Sequence, residues 1–155
     1  MTARIVLDTN VCLDLFVFDD PWCAALHDAF GKGLEAVTRD DCRAEWVRVL
    51  GYPQFALDAD AQAKAVAAYD ASMRMMPVID IELPRCKDPD DQKFLELAWT
   101  AQAGVLLTKD KELLVLARRA ELRERFAIMK PAEWTAEASH RHPGAGQGPV
   151  ATTDH

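Results

Sequence analysis

No run of apolar residues in this chain approaches the length of a membrane span, which takes about 20 in succession. The N-terminus passes straight into a strand-like segment, without the charged start and long apolar stretch of a secretory signal. Both absences predict a cytoplasmic protein. Cysteine is sparse: Cys12, Cys23, Cys42 and Cys86 are widely spaced and form no C-x-x-C pair. That argues against a zinc ribbon or a dithiol redox motif and predicts buried free thiols. There is no glycine-rich phosphate loop, and no Ser or Cys sits in a nucleophile elbow. Histidine offers little, with His27 isolated and His140, His142 and His155 near the C-terminus. The net charge of −7 is the wrong sign for a general nucleic-acid coat protein.

What is present suits one domain with one core: 155 residues, of which 50% are hydrophobic. Short aliphatic runs predict strands at 4–7, 34–38, 77–81, 105–108 and 126–129. Helical periodicity fills the intervals at about 11–18, 21–30, 41–50, 59–75, 89–103 and 111–120. Residues 131–134 read as a closing turn. Strands separated throughout by helices predict an α/β fold with a mostly parallel, about five-stranded sheet covered on both faces. The compact domain is expected over 1–136. Over 137–155 Gly, Pro, His and Thr dominate without apolar periodicity, which predicts a disordered tail.

Four acids stand out because each falls where a strand ends or in a helix. They are Asp8, Glu45, Asp91 and Asp110. Gathering carboxylates is costly unless something positive lies between them. A fold that gathers these would build a pocket for a hard divalent cation such as Mg²⁺ or Mn²⁺. Parallel sheets bind ligands beyond the carboxyl ends of their strands, which is where Asp8 and Asp110 fall. A bound cation also reverses the local sign, so the negative net charge does not exclude a nuclease.

Each acid also has a plainer reading. Asp8 could start a turn, although Thr9 and Asn10 could equally hold a functional carboxylate in place. Asp88-Pro89 makes a good helix start, with Asp88 and Asp90 as caps. Asp91 precedes Phe94, Leu95 and Ala98 by three, four and seven residues, so it shares their buried face and is the better ligand candidate. Asp110 fits a helix cap and a metal ligand equally well. Glu45 is the weakest alone, with Asp41, Glu35 and Glu112 competing for its role. The basic cluster Arg118, Arg119, Arg123 and Arg125 reads as a solvated helix face or a phosphate patch.

Taken in order, four segments carry a family resemblance. They are Ile5-Val6-Leu7-Asp8-Thr9-Asn10-Val11, the Glu45 helix ending in Val49-Leu50-Gly51, Lys87-Asp88-Pro89-Asp90-Asp91-Gln92-Lys93-Phe94-Leu95, and Val105-Leu106-Leu107-Thr108-Lys109-Asp110-Lys111-Glu112. The chain resembles the PIN-domain family of metal-dependent ribonucleases, in particular the bacterial toxins of toxin–antitoxin pairs, over about 4–134. The resemblance implies a three-layer α/β/α sandwich. It implies Asp8, Glu45, Asp91 and Asp110 as catalytic acids, with Asp8, Asp91 and Asp110 holding one or two Mg²⁺ or Mn²⁺ ions. Thr9, Asn10, Asp88 and Thr108 would support them. Glu112 stands where relatives often carry a further Asp.

The implied reaction is hydrolysis of an RNA phosphodiester, with Lys87, Lys109 or Lys111 near substrate phosphates. A small antitoxin and a second copy of the chain are the implied partners. One alternative is a phosphotransferase of the haloacid-dehalogenase type, which needs an Asp where this chain has Asn10. The other is a non-catalytic PIN-like module that binds RNA or protein.

Overall fold

The computed structural model describes residues 2–135. The expected tail at 137–155, with His140, His142 and His155, lies outside the described residues. Elements alternate as expected: β1 (Ala3–Leu7), α1 (Thr9–Phe16), α2 (Cys23–Phe30), β2 (Leu34–Thr38), α3 (Asp40–Leu50), α4 (Ala59–Ser72), β3 (Met73–Met75), α5 (Gln92–Thr100), β4 (Val105–Leu107), α6 (Lys111–Leu114), α7 (Ala120–Arg123) and β5 (Ala127–Met129). Every strand pair is parallel, and the order is β3-β2-β1-β4-β5.

Side chains alternate across a strand, so a sheet buried on both faces needs apolar residues at consecutive positions. β1 and β4 meet this demand. Ile5, Leu7, Val105 and Leu107 pack with apolar residues of α1, α2, α3 and α4. Val6 and Leu106 point the other way, into a core with α5, α6 and α7. The result is an α/β/α sandwich. All four cysteines are buried and unpaired.

On the first face, Trp46 of α3 stacks on Tyr69 of α4 with ring centroids 5.6 Å apart, and Phe16 of α1 meets both edge-on at 5.9 Å. This aromatic cluster fixes the rotation of α3, and hence the direction of Glu45, which immediately precedes Trp46.

Three expectations need correction. The third strand is Met73–Met75, not 77–81, and the helix expected over 59–75 ends at Ser72, where that strand begins. Its register is set by Ala36↔Met73 and Thr38↔Met75, and Met76 N donates to Thr38 O at 2.8 Å as the last bond of the ladder. Pro77 has no N–H to extend that ladder. The helix expected over 111–120 is also broken. α6 gives way to a 3₁₀ turn at Val115–Arg118, and α7 begins afresh at Ala120. Among the described residues no helix is long and apolar enough to cross a membrane.

Candidate metal centre

The strand order places the site. From β1 the chain moves outward to β2 and β3, then returns to the other side of β1 for β4 and β5. Connections leave β1 and β4 in opposite directions, which opens a crevice beyond their carboxyl ends. Asp8 N donates to Leu107 O at 3.1 Å, so the ends of β1 and β4 are tied together at that crevice. A cleft with about 130 Å³ open to water lies there, lined by Asp8, Thr9, Asn10, Glu45, Val49, Tyr52, Asp91, Phe94 and Asp110. It is smaller than the roughly 300 Å³ at which pockets begin to enclose an organic ligand, and suits an ion with one charged group. The four acids that lie far apart in sequence all reach it.

Local chemistry explains each acid's position. Asp8 caps α1: one carboxylate oxygen accepts from Val11 N at 3.1 Å and the other from the Thr108 hydroxyl. Thr108 Oγ1 in turn accepts from Asp110 N at 2.9 Å, so one hydroxyl joins the two strand ends. Asp110 caps α6 through Glu112 N at 2.8 Å. Asp88 caps the 3₁₀ turn Pro89–Asp91 that leads into α5. Asp8 and Asp110 therefore serve both as helix caps and as walls of the cleft. The cap fixes one oxygen of each carboxylate and leaves lone pairs available.

Asp91 behaves differently. It is 9% exposed, and its Oδ2 has no hydrogen-bond partner among the described residues. Asp88, Asp91 and Asp110 each offer a carboxylate oxygen, all within 4.8 Å of one another. Oxygens on opposite sides of an ion bound at roughly 2.0–2.4 Å lie roughly 4–5 Å apart, so the spacing fits Mg²⁺ or Mn²⁺. Hard oxygen donors and an orphaned buried carboxylate oxygen both fit such an ion. Asp88, expected to support the site, belongs to this closest triplet. Asp8 reaches the same cleft from β1 with both oxygens already accepting protein hydrogen bonds.

The crowding shows in the acidities. Burial raises the Asp8 carboxyl to about 6, against the lowering effect of its Thr108 and Val11 hydrogen bonds, and the Asp110 and Glu45 charges add to the rise. Asp91 is pushed up strongly, first by burial, then by the adjoining Asp110 carboxyl and the charges of Asp88 and Asp8. Burial first, and like charges second, produce this pattern where no cation lies between the carboxylates.

Glu45 has a positive partner of its own. Its Oε2 accepts from the Thr9 hydroxyl, and its Oε1 accepts from Lys93 Nζ at 2.6 Å. Its rivals are engaged elsewhere. Asp41 is paired with Arg39 at 2.7 Å, Glu35 with Arg4 and Arg74, and neither lines the cleft. Glu112 contributes its backbone N–H to Asp110.

Of the three lysines expected near substrate, Lys109 is bonded to Asp14 at 2.6 Å, while Lys87 and Lys111 are exposed. In the basic cluster, Arg119 pairs with Glu121 and the Arg125 guanidinium lies 3.8 Å from the centre of the Trp99 ring. Sequence reasoning missed Lys93, Tyr52, Val49 and Phe94 at the site. Phe94 carried only a core signal, and Lys93 lay unmarked inside an acidic motif.

No curated protein matches this chain. The family model of the PIN domain matches residues 4–112, which take in β1 through the start of α6 and all four acids. The chain belongs to the PIN-domain family.

Proposed function

We propose that this chain is a metal-dependent endoribonuclease and the toxin of a toxin–antitoxin pair. Its family supports nuclease chemistry in general. The observation that carries the metal-dependent reading is the orphaned Asp91 oxygen beside Asp88 and Asp110 in one cleft. In this reading Asp8, Asp91 and Asp110 hold the ion, with Asp88 as a further carboxylate. A divalent ion bound there supplies Lewis acidity toward water and a phosphate oxygen.

The chain's own residues do the rest. Thr108 orients Asp8 and Asp110 together. Glu45, steadied by Thr9 and Lys93, faces the cleft as a carboxylate that orients a water beside the departing oxygen. Asn10 is exposed at the rim, within reach of substrate. Tyr52, 39% exposed on the same rim, offers an aromatic face to an unstacked base. We place the protein in the cytoplasm, as a homodimer neutralised by a small antitoxin whose segment covers the acidic cleft.

The test is cleavage of structured and single-stranded RNA by the purified full chain, with Mg²⁺ or Mn²⁺ and with chelator. Expected is cleavage that needs the metal and disappears in Asp91→Asn. Metal binding without cleavage of any RNA would favour a non-catalytic module. Expression should arrest growth, and Asp91→Asn should relieve the arrest. Unchanged growth on expressing the wild-type chain sinks the toxin assignment alone.

A further inference from the structure

The cleft is electrically divided. On one side Asp88, Asp91 and Asp110 crowd together, and Asp91 Oδ2 has no partner among the described residues. On the other side both oxygens of Glu45 are taken. Lys93 Nζ donates to Glu45 Oε1 at 2.6 Å and to the Asp90 carbonyl, and the side chains of Lys93 and Glu45 are each only 13% exposed. The Lys93 ammonium also lies 5.0 Å from the centre of the Phe94 ring, a wall of the cleft. Arg48 adds a second positive group, 3.9 Å from Glu45.

Lys93 is thus fixed from several directions: by an ion pair, by a main-chain carbonyl and by an aromatic face. An exposed surface lysine balancing nearby acids would have none of that confinement.

Two-metal nucleases place their ions about 3.5–4 Å apart, and a second ion that close needs further carboxylate charge to offset it. Here the carboxylate that would serve a second ion already holds an ammonium. A divalent ion beside that ammonium would meet repulsion that is several-fold stronger than in bulk water, because the site is partly dry. Resting on the metal-dependent reading above, we propose that Lys93 is a built-in cation. It occupies the Glu45 side of the cleft, so the site takes a single divalent ion per chain, at Asp8, Asp91 and Asp110 with Asp88. Lys93 is a positioning residue in this scheme: it fixes Glu45 and sets the metal count.

The measurement is the number of Mn²⁺ ions bound per full-length chain at saturation, by calorimetry and by electron paramagnetic resonance of the free ion. Wild type should bind one. Lys93→Arg keeps the charge and should also bind one. Lys93→Gln frees the Glu45 carboxylate and should bind two, and adding Glu45→Gln to it should return the count to one. A merely structural lysine would not move this count in a folded variant, and near-ultraviolet circular dichroism checks the fold.

Two ions on wild type overturn the proposal even if Lys93→Gln does not fold, and so does a single ion on folded Lys93→Gln. Either result leaves the metal-dependent reading standing. Absence of any Mn²⁺ binding to wild type overturns both.

Discussion

Replacing Asp8 with Asn tests the electrostatics of the cleft without disturbing its shape. Asp8 is 3% exposed, and its carboxyl titrates at about 6 instead of the ordinary 3.8. The folded chain therefore binds the proton more tightly than the unfolded chain does. The stability this gives is fully present below about pH 4 and is lost as pH rises through about 6. A shift of about two units corresponds to about 3 kcal/mol.

Asn carries no charge and removes that penalty at neutral pH. Asn Oδ1 can keep the Val11 N–H bond of the helix cap, but the bond from Thr108 loses its carboxylate acceptor, at a cost of about 1 kcal/mol. The metal-free variant should therefore be more stable than wild type at pH 7.5 by about 2 kcal/mol. That is a rise of roughly 6–8 °C in Tm for a domain of this size. The advantage should shrink and reverse between pH 7.5 and 4.

Urea unfolding in chelator at both pH values reads the difference between variant and wild type. The same variant should not cleave RNA. A stability difference independent of pH, or a variant less stable than wild type at pH 7.5, would refute the claim that Asp8 is held ionised against its surroundings.

Other outcomes follow from the same geometry. Saturating Mn²⁺ at about 100 times its Kd should stabilise wild type by about 2.7 kcal/mol, and Asp91→Asn should lose most of that rise in a thermal melt. Thr108→Val removes the donor that lowers the Asp8 carboxyl and the acceptor for Asp110 N. It should cost about 1–3 kcal/mol and move the Asp8 midpoint above about 6, read from stability against pH. Trp46→Ala empties the aromatic cluster behind Glu45 and should cost about 3–5 kcal/mol in urea unfolding. Tyr52→Ala should weaken binding of single-stranded RNA by roughly one to two orders of magnitude if a base stacks there, measured by fluorescence anisotropy with metal replaced by chelator.

The alternation of strand and helix was legible because it depends on local periodicity. β1, β2 and β4 fell close to where their aliphatic runs placed them. The third strand did not. Met73–Met75 has no aliphatic run to mark it, and it becomes a strand because Ala36, Val37 and Thr38 present an edge for it to pair with. The broken helix after Asp110 was equally invisible. The apolar positions 113, 114 and 116 satisfy a helical pattern, while the backbone turns more tightly to let Leu116 and Leu122 reach one core.

Asp91 was readable as inward-facing from its spacing to Phe94, Leu95 and Ala98, and Asp8 from its place after a buried strand. Glu45 was not separable from Asp41 or Glu35 by sequence, since all three are polar positions with nearby arginines. Lys93 carried no sign at all of its bond to Glu45, 48 residues away.

By itself the amino-acid order determined that the chain alternates strands with helices, that the strands are buried on both faces, and that acids stand at their carboxyl ends. Those properties follow from near neighbours along the backbone. Only tertiary structure decided that β1 lies between β2 and β4, that Asp88 joins Asp91 and Asp110, and that Lys93 shields Glu45. Such facts depend on which distant segments pair, and pairing is fixed by packing of the whole core rather than by any one stretch of chain.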